Sequence, residues 1–579
     1  MKSSTSKPSS IMQAIQSRIR GRRFTQYALF AVIAAALILR AVSSGFEYLP
    51  ILDDSIQYIN YPKAPDYGEL IEVEGLFASR PLAAIMDLFV VGQLDFALIL
   101  PVLILSLLYA ASGVLFWRLF NRIFGTGMAF AVFYALLPLG CEGVYWLSAA
   151  SRIVPGLFFT SIAALLLEDY FDDGKTWRLI AFPIAALLSY GFYEQILVLS
   201  FALSGLQFLR RVRNTRRAWA VALVFPMLGI YFLLTRGGDG ALAERISFVT
   251  IDAWYFNEFI PDLARQIGAA FIKGGSLTLF YGFVRGFAIC FESIGGIVCL
   301  IISLGIGAAV FFVLLNSVKL NSTKLNNTIL DSMSLNDTPL DSTHQKLNSQ
   351  TVGVYIWGLL LMCAPLAPYF IVANPWFSLR ATVASFAGAG LIFDALLRLI
   401  LHRCRIYSIV CALLALVCVI AGISEVHDYH EMGEYDNRIA AAIIESNDKL
   451  SGRVGILGLE EFPIDEQNYS YHEHIQSAAS SDWSLYGKLV AVYGSELDFT
   501  PVPLATRGFS FYREWNRDMK RISGFDQLWL WDDETMSLIP LEKIPQESGE
   551  HDFEITYSDG TPWGYVFEEG EYGYIEIYE

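Results

Sequence analysis

The sequence predicts a polytopic α-helical membrane protein with about eleven transmembrane helices and a soluble α+β domain at its C-terminus. Of its 579 residues, 54% are hydrophobic and only 17% are charged, whereas about a quarter of the residues of a soluble protein are charged. The apolar residues are grouped into runs that are long enough to cross a bilayer. The charged residues are distributed unevenly along the chain. Residues 424–579 hold 32 acidic and 10 basic residues, while the rest of the chain is net basic.

The first apolar run lies at residues 27–42, after a basic N-terminal segment at residues 1–26. No small-residue cleavage site follows this run, so we expect a retained membrane anchor rather than a signal peptide. The further predicted spans lie near residues 95–117, 127–147, 152–168, 178–193, 194–209, 218–235, 286–315, 353–373, 381–401 and 406–424. Together these runs assign residues 27–424 to a transmembrane domain.

Basic residues predict how the chain is oriented, because Lys and Arg collect in cytoplasmic loops. With the N-terminus inside, the inner loops contain the arginine-rich residues 210–217 as well as Arg403 and Arg405. Residues 316–351, which are rich in Asn, Ser and Thr, then form a low-complexity cytoplasmic loop. An odd number of spans places the acidic residues 425–579 outside the cell membrane, and their charge argues against a nucleic-acid partner.

The C-terminal region has the pattern of a small α+β domain. A helix is expected at residues 435–450, and strands are expected at residues 453–459, 488–493 and 527–531. The sequence Ser558-Asp559-Gly560 has hairpin-turn composition between two aromatic-rich segments. The last residues also have the pattern of a strand, which gives an extracytoplasmic domain of about 150 residues, an ordinary domain size.

Two adjacent carboxylates, Asp53 and Asp54, follow the first apolar span directly, in the first outer loop. A catalytic base needs a carboxylate held near a hydroxyl group, and two adjacent acids can divide the roles of base and orienting residue. This pair lies at the boundary between membrane and water, on the side away from the cell interior. That position suits proton abstraction beside a lipid-linked substrate. The alternative is structural, with the pair in a solvated loop or at the N-cap of a following helix.

Arg80 precedes Pro81 and an apolar stretch that has the character of a helix lying in the outer interface. An arginine at this position can extend towards lipid headgroups without further function. Its planar guanidinium can also bind a phosphate group through two parallel hydrogen bonds. Both interpretations of Arg80 are open from the sequence.

A second outer turn carries Glu142, Tyr145, Trp146 and Arg152. Tyr and Trp at the end of a span usually belong to the interfacial aromatic belt, but aromatic rings also stack on sugars. Ionisable residues such as Glu142 and Arg152 are costly next to hydrocarbon and tend to be functional. The turn is therefore a candidate part of a substrate site.

Two further outer segments add candidate substrate-binding residues. Tyr193 and Glu194 lie between two short apolar runs, where a carboxylate must reach the outer surface or be paired. Arg380 lies in a late outer turn and is a second candidate for a phosphate group. The sequence indicates no cofactor and leaves a divalent metal ion open, since no phosphate-binding loop and no zinc-ligand spacing is present.

The order of these motifs resembles that of bacterial membrane glycosyltransferases of the GT-C superfamily, over about residues 25–425. The motifs are the acidic pair, Ser-Arg-Pro-Leu at residues 79–82, Glu followed by Tyr-Trp-Leu-Ser at residues 142–148, Tyr-Glu at residues 193–194 and the late turn with Arg380. The resemblance is greatest to the O-antigen glucosyltransferase branch, which converts serotypes. The acidic C-terminal region and the low-complexity loop lie outside this pattern.

The resemblance implies an enzyme of the bacterial inner membrane. Such enzymes take a sugar, glucose in this branch, from a polyprenyl-phosphate carrier on the outer face and transfer it to a cell-surface polysaccharide or another acceptor. The acidic residue of the first outer loop, Asp53 or Asp54, would act as the base. Arg80, with Arg380 or Arg152, would hold the carrier phosphate, and a one-step attack would invert the anomeric carbon.

Two other classes of protein fit parts of the sequence. A transporter or flippase of a lipid-linked sugar also has many spans and ionisable residues inside the membrane. It is expected to contain inverted repeats with broken helices at the midplane, and no such internal symmetry is evident. A non-enzymatic scaffold that displays the acidic C-terminal region is the third class, and it would tolerate replacement of Asp53 and Arg80.

Overall fold

The computed structural model describes most of the membrane body and most of the C-terminal region. The described residues are 10–72, 80–235, 248–333, 340–372, 377–401, 403–460, 463, 475–504, 521–546, 551–569 and 572–577. In this part of the chain the α-helices are α1 (Ser10–Ala41), α2 (Tyr67–Glu72), α3 (Pro81–Met86), α4 (Ile99–Phe124), α5 (Ala129–Leu136), α6 (Cys141–Val144), α7 (Leu147–Asp173), α8 (Thr176–Tyr190), α9 (Glu194–Arg211), α10 (Val224–Leu234), α11 (Ile260–Gly268), α12 (Gly282–Glu292), α13 (Ile294–Met333), α14 (Leu340–Cys363), α15 (Phe386–Ile400), α16 (Cys404–Glu445) and α17 (Asp482–Tyr493).

Within the described residues, nine helical segments are long and apolar enough to cross a membrane. They are Phe24–Ala41, Ile99–Phe124, Leu147–Asp173, Arg216–Leu234, Tyr255–Glu292, Ile294–Asn316, Val352–Phe370, Leu379–Ile400 and Arg405–Glu445. The apolar helix Thr176–Tyr190 is shorter than these. The prediction of a helical protein with many membrane spans is confirmed at this level, and the count of eleven is not.

The predicted span at residues 127–147 is broken in the structure into short helices. Helix α5 ends at Leu136, Leu137 is extended (ψ 121°), and a 3₁₀ turn occupies Pro138–Gly140 before α6. The break follows from Pro138, because a proline disfavours helical geometry in the residue that precedes it. The short helix α6 and the start of α7 consequently carry Glu142, Tyr145 and Trp146 into the protein interior, where all three are buried.

Helix α16 joins the membrane body to the C-terminal region without interruption. It contains both the span predicted at residues 406–424 and most of the separate helix predicted at residues 435–450. Its 42 residues correspond to a length of about 63 Å, roughly twice the thickness of the hydrocarbon core. The helix therefore extends well beyond any membrane that it crosses.

The C-terminal region contains a seven-stranded sheet in the order β2-β1-β3-β4-β5-β6-β7. The strands are β1 (Gly452–Leu457), β2 (Phe499–Leu504), β3 (Gln527–Asp532), β4 (Ser537–Pro545), β5 (Phe553–Tyr557), β6 (Pro562–Glu569) and β7 (Tyr572–Ile577). Strand β1 pairs in parallel with β2 and β3, and the other pairs are antiparallel. This sheet confirms the predicted C-terminal region of mixed α and β structure.

One predicted strand of this region is wrong, because residues 488–493 belong to helix α17. The reason is topological. Helix α17 connects β1 to β2, which lie side by side and parallel, and a parallel pair needs a long crossover that is usually helical. The apolar run at 488–493 is too short to distinguish a strand from a buried helix by its pattern alone.

The hydrophobic core is continuous between the membrane body and one face of the sheet. One cluster of buried side chains includes residues of α1, α4 and α7 together with Ile443, Val454, Leu485 and Trp529. The other face of the sheet has its own cluster, which includes Leu457, Val502 and Ile555. The C-terminal domain is thus packed against the body rather than tethered to it.

Candidate active site

The loop that follows α1 is fixed to the start of helix α7 by Asp54. The Asp54 side chain is fully buried, and its Oδ1 accepts a hydrogen bond from the backbone N–H of Ser148 at 3.0 Å. Its Oδ2 accepts hydrogen bonds from Tyr48 Oη at 2.5 Å and from the backbone N–H of Ile51 at 3.3 Å. The Tyr48 hydroxyl in turn accepts the backbone N–H of Leu147 at 2.9 Å.

Asp54 therefore caps α7 from another part of the chain. The first N–H groups of a helix have no partner within the helix, and the residue before α7, Trp146, provides no side-chain cap. A carboxylate is favourable at this position because it faces the positive end of the helix dipole. Burial raises the pKa of the Asp54 carboxyl to about 7, against the hydrogen bonds from Tyr48 and Ile51 that lower it.

Asp53 has a different environment from Asp54. It is half-buried rather than buried, and its charge interacts with Arg380 and with Asp54. The residue before it, Leu52, has a positive φ of 44°, which is an uncommon and strained conformation for a branched side chain. This turn precedes both carboxylates; Asp54 is buried in the protein, while Asp53 retains partial access to solvent.

Arg80 is held beside Tyr193 and Glu194 by the local packing of α3. The backbone N–H of Leu82 donates to the Gly191 carbonyl at 3.0 Å, which aligns the start of α3 with the start of α9. Arg80 Nε donates to Glu194 Oε1 and Oε2 at 2.9 and 3.1 Å. The guanidinium also lies 4.5 Å from the centre of the Tyr193 ring, within the range of a cation–π contact.

Arg380 is held by the broken helix that contains Glu142. The backbone N–H of Arg380 donates to Glu142 Oε2 at 2.8 Å, and Arg380 Nε lies 3.7 Å from Glu142 Oε1. The guanidinium lies 5.0 Å from the centre of the Trp146 ring, and Ser378 Oγ donates to Glu142 Oε1 at 2.9 Å. Both Arg380 and Arg80 interact electrostatically with Tyr193 and Tyr369.

Arg152 belongs to a neighbouring buried network. Its Nη2 lies 3.7 Å from Asp87 Oδ2, and Asp87 Oδ1 accepts a hydrogen bond from Ser151 Oγ at 2.9 Å. The Tyr58 hydroxyl lies 3.0 Å from Ser151 Oγ and donates to the Leu147 carbonyl at 3.1 Å. Burial raises the pKa of the Asp87 carboxyl, while Arg152 and Ser151 act to lower it.

The structure thus gathers the sequence-predicted residues at one end of α7, but it gives them different roles. Tyr145 and Trp146 are 4% and 2% exposed, and Tyr145 packs between the rings of Tyr48 and Tyr429. In the structure both rings pack within the protein, and the Trp146 ring lies beside the Arg380 guanidinium. Glu142 is also buried, and its two oxygens accept hydrogen bonds from Ser378 and from the backbone of Arg380.

Sequence reasoning missed Asp87, Tyr48, Tyr58 and Tyr369. Asp87 had a detectable signal, because it is the one charged residue in the apolar segment that follows Arg80. The tyrosines had none, since Tyr is common at the ends of spans. Their function depends on contacts with residues that are distant in the sequence.

In the described part of the chain, no group of three or more His, Cys, Asp or Glu side chains is arranged to hold a metal ion. The candidate site instead combines a half-buried carboxylate with two arginines that aromatic rings and glutamates hold in place. No protein-family model and no curated protein sequence matches this chain.

Proposed function

We propose that this protein is an integral membrane glycosyltransferase of the hexosyltransferase kind. It moves a sugar, with glucose as the first choice, from a polyprenyl-phosphate carrier to a cell-surface glycan outside the membrane. One observation carries the proposal. Asp53 and the guanidinium groups of Arg80 and Arg380 converge at one end of α7, where both arginines interact with the pair Tyr193 and Tyr369.

Asp53 is the better of the two candidate bases. Both oxygens of Asp54 already accept hydrogen bonds, and its side chain is fully buried. It therefore has no access to an acceptor hydroxyl group and serves as a positioning residue. Asp53 is only half-buried and lies near the positive charge of Arg380, so its carboxylate can meet an acceptor hydroxyl group and take its proton.

Arg80 and Arg380 suit the carrier phosphate. A guanidinium carries five N–H groups, and Glu194 and Glu142 fix the orientation of Arg80 and Arg380. About a third of the Arg80 side chain and a fifth of the Arg380 side chain stay exposed. Two fixed cations beside the phosphate would stabilise the negative charge that develops on it as the sugar departs.

The proposed reaction is a single displacement. The acceptor hydroxyl oxygen attacks the anomeric carbon, its proton passes to Asp53, and the bond from the anomeric carbon to the phosphate oxygen breaks. The electron pair of that bond remains on the polyprenyl phosphate, which needs no general acid because phosphate is a good leaving group. Attack opposite to the leaving group inverts the anomeric carbon.

The distribution of charge along α7 supports an outer location for the site. At the far end of α7, Glu168 pairs with Arg210 at 2.8 Å and with Arg211, and Asp169 pairs with Arg122. The 27 residues of α7 span about 40 Å, so this arginine cluster and Asp53 lie at opposite ends of a membrane-length helix. The positive-inside rule assigns the arginine end to the cytoplasm, which leaves Asp53 and the C-terminal domain outside.

Transfer in oriented vesicles tests this function. Labelled polyprenyl-phosphate glucose and the envelope glycans of the source strain are added to right-side-out and inside-out vesicles that contain the protein. We expect label to reach the glycan in right-side-out vesicles only. The proposal would be overturned by equal transfer from both vesicle orientations, or by no transfer of glucose or of any other hexose from the same carrier.

A further inference from the structure

Helix α17 of the C-terminal domain binds the first outer loop through two hydrogen bonds. Lys488 Nζ donates a hydrogen bond to the Pro50 carbonyl at 3.0 Å, and Asn60 Nδ2 donates to the Gly487 carbonyl at 2.9 Å. Pro50 lies three residues before Asp53 and Asn60 lies six residues after Asp54. One turn of α17 therefore holds the loop on both sides of the acidic pair.

The contact between α17 and the loop is close enough to require a glycine. A Cβ atom at Gly487 would lie 2.8 Å from the Cβ of Ile56 and 3.2 Å from its Cα. Such distances are shorter than ordinary van der Waals contact, and part of the opposing group is backbone that cannot turn away. The backbone of α17 at Gly487 therefore approaches the loop directly at Ile56, two residues beyond Asp54.

Lys488 is an unusual residue for the interior of a soluble domain. Its side chain is 3% exposed, and lysine is almost never fully buried unless it is paired. Its charge interacts with Asp436 near the end of α16 and with Asp54 of the first loop. Asp436 is itself fixed by hydrogen bonds from Ser477 Oγ at 2.6 Å and from the backbone N–H of Ala478 at 3.0 Å.

The strained turn at Leu52 lies between the Pro50 carbonyl, which accepts the hydrogen bond from Lys488, and the acidic pair. A residue with a positive φ persists only where its surroundings over-determine its conformation. The cap on α7 constrains the loop from within the membrane body, and Lys488 constrains it from the C-terminal domain. Removal of the second constraint would leave the turn free to relax.

We propose that Lys488 is a positioning residue. Through it, the acidic C-terminal domain holds the first outer loop and its acidic pair in place beside the arginines of the membrane site. The inference rests on the proposed function, since the loop is taken to carry the base. It assigns the C-terminal domain a part in the reaction, because turnover would depend on a side chain outside the membrane body.

Two variants test the contact. Lys488→Met keeps the length of the side chain without its charge, and Gly487→Ala places a methyl group against Ile56. Alanine favours a helix over glycine, so α17 itself should gain stability in Gly487→Ala while the loop loses its partner. Gly524→Ala is the matched control in the same domain, because its Cβ would meet only a flexible arginine end at 3.4 Å.

Hydrogen exchange of intact protein in nanodiscs is the first measurement. We expect the amides of residues 51–60 to exchange about tenfold faster or more in both variants, the size of effect expected from losing the charged hydrogen bond of Lys488. Lys488→Arg should retain part of the protection, and Gly524→Ala should match the unaltered protein. Unchanged exchange of residues 51–60 in both variants would overturn the proposal. Faster exchange throughout the domain in Lys488→Arg would overturn it as well.

Kinetics with polyprenyl-phosphate glucose separates this inference from the proposed function. We expect both variants to lower kcat while the Kd for polyprenyl phosphate changes less than twofold, since the arginines are not touched. Equal loss of kcat and of phosphate affinity would overturn the positioning role. If the unaltered protein transfers no sugar, the proposed function fails, whereas faster loop exchange in the variants would still support the contact.

Discussion

Asp53→Asn is expected to lower the rate of sugar transfer by ~10²–10⁴-fold, the usual effect of removing a general base. Asparagine keeps the size of the side chain but cannot accept the proton of the acceptor hydroxyl. Affinity for polyprenyl phosphate should stay within about twofold of the unaltered protein, because Arg80 and Arg380 remain in place. Single-turnover transfer from polyprenyl-phosphate glucose, measured beside equilibrium binding of polyprenyl phosphate, provides both quantities.

Asp54→Asn is the matched control for this prediction. Its amide oxygen can still accept the N–H of Ser148, so the cap on α7 is partly kept and the loss of rate should be smaller than for Asp53→Asn. If both asparagine variants turn over at near-normal rates, carboxylate base catalysis from this loop is refuted. A large loss in Asp54→Asn with none in Asp53→Asn would reverse the assignment of base and positioning residue.

Arg80→Lys is expected to weaken binding of polyprenyl phosphate by ~1–3 kcal/mol, about the contribution of a hydrogen bond to a charged group. Lysine keeps the charge but loses the planar fork that makes two parallel hydrogen bonds to phosphate. It also loses the donor geometry of Nε towards Glu194. The expected weakening corresponds to roughly fivefold to more than a hundredfold in Kd, measurable in nanodiscs with polyprenyl phosphate alone.

Arg213→Lys provides the control, since Arg213 is an exposed arginine on the loop after α9, at the end of the bundle opposite to Asp53. It should leave the affinity unchanged. A residue that only anchors lipid headgroups would tolerate Arg80→Lys in the same way. Unchanged affinity in both Arg80→Lys and Arg80→Ala would therefore remove Arg80 from the site and direct attention to Arg380 or Arg152.

The sequence was enough to predict which single residues belong to the candidate site. It was not enough to predict which of them interact with each other. Ionisable groups at the ends of apolar runs are costly unless they are used or paired, which is why Arg80, Glu194 and Arg380 were recognisable. Their partners depend on tertiary contacts, as for the ion pair between Arg80 and Glu194, which are 114 residues apart. The different burial of Asp53 and Asp54 also depends on tertiary contacts, such as the hydrogen bond from Ser148 to Asp54, which no local pattern predicts.

The existence of most helices could be predicted from the sequence, but their breaks and full lengths could not. Apolar runs predict helices reliably, because a backbone in lipid must satisfy its own hydrogen bonds. Pro138 was visible in the sequence, yet only the structure shows that it turns a predicted span into short helices that carry Glu142. The length of α16 and the helical crossover α17 were missed because each depends on how the C-terminal domain packs against the body.

The proposed function depends on the binding of a lipid-carrier phosphate by Arg80 and Arg380 beside Asp53. An electron cryomicroscopy structure of the protein in nanodiscs with saturating polyprenyl phosphate tests it most directly. We expect phosphate density within hydrogen-bonding distance of both guanidinium groups, near Tyr193 and Tyr369, with the first loop in place. Phosphate density at the arginine cluster on the other end of α7, or an unoccupied outer site at saturating lipid, would contradict it.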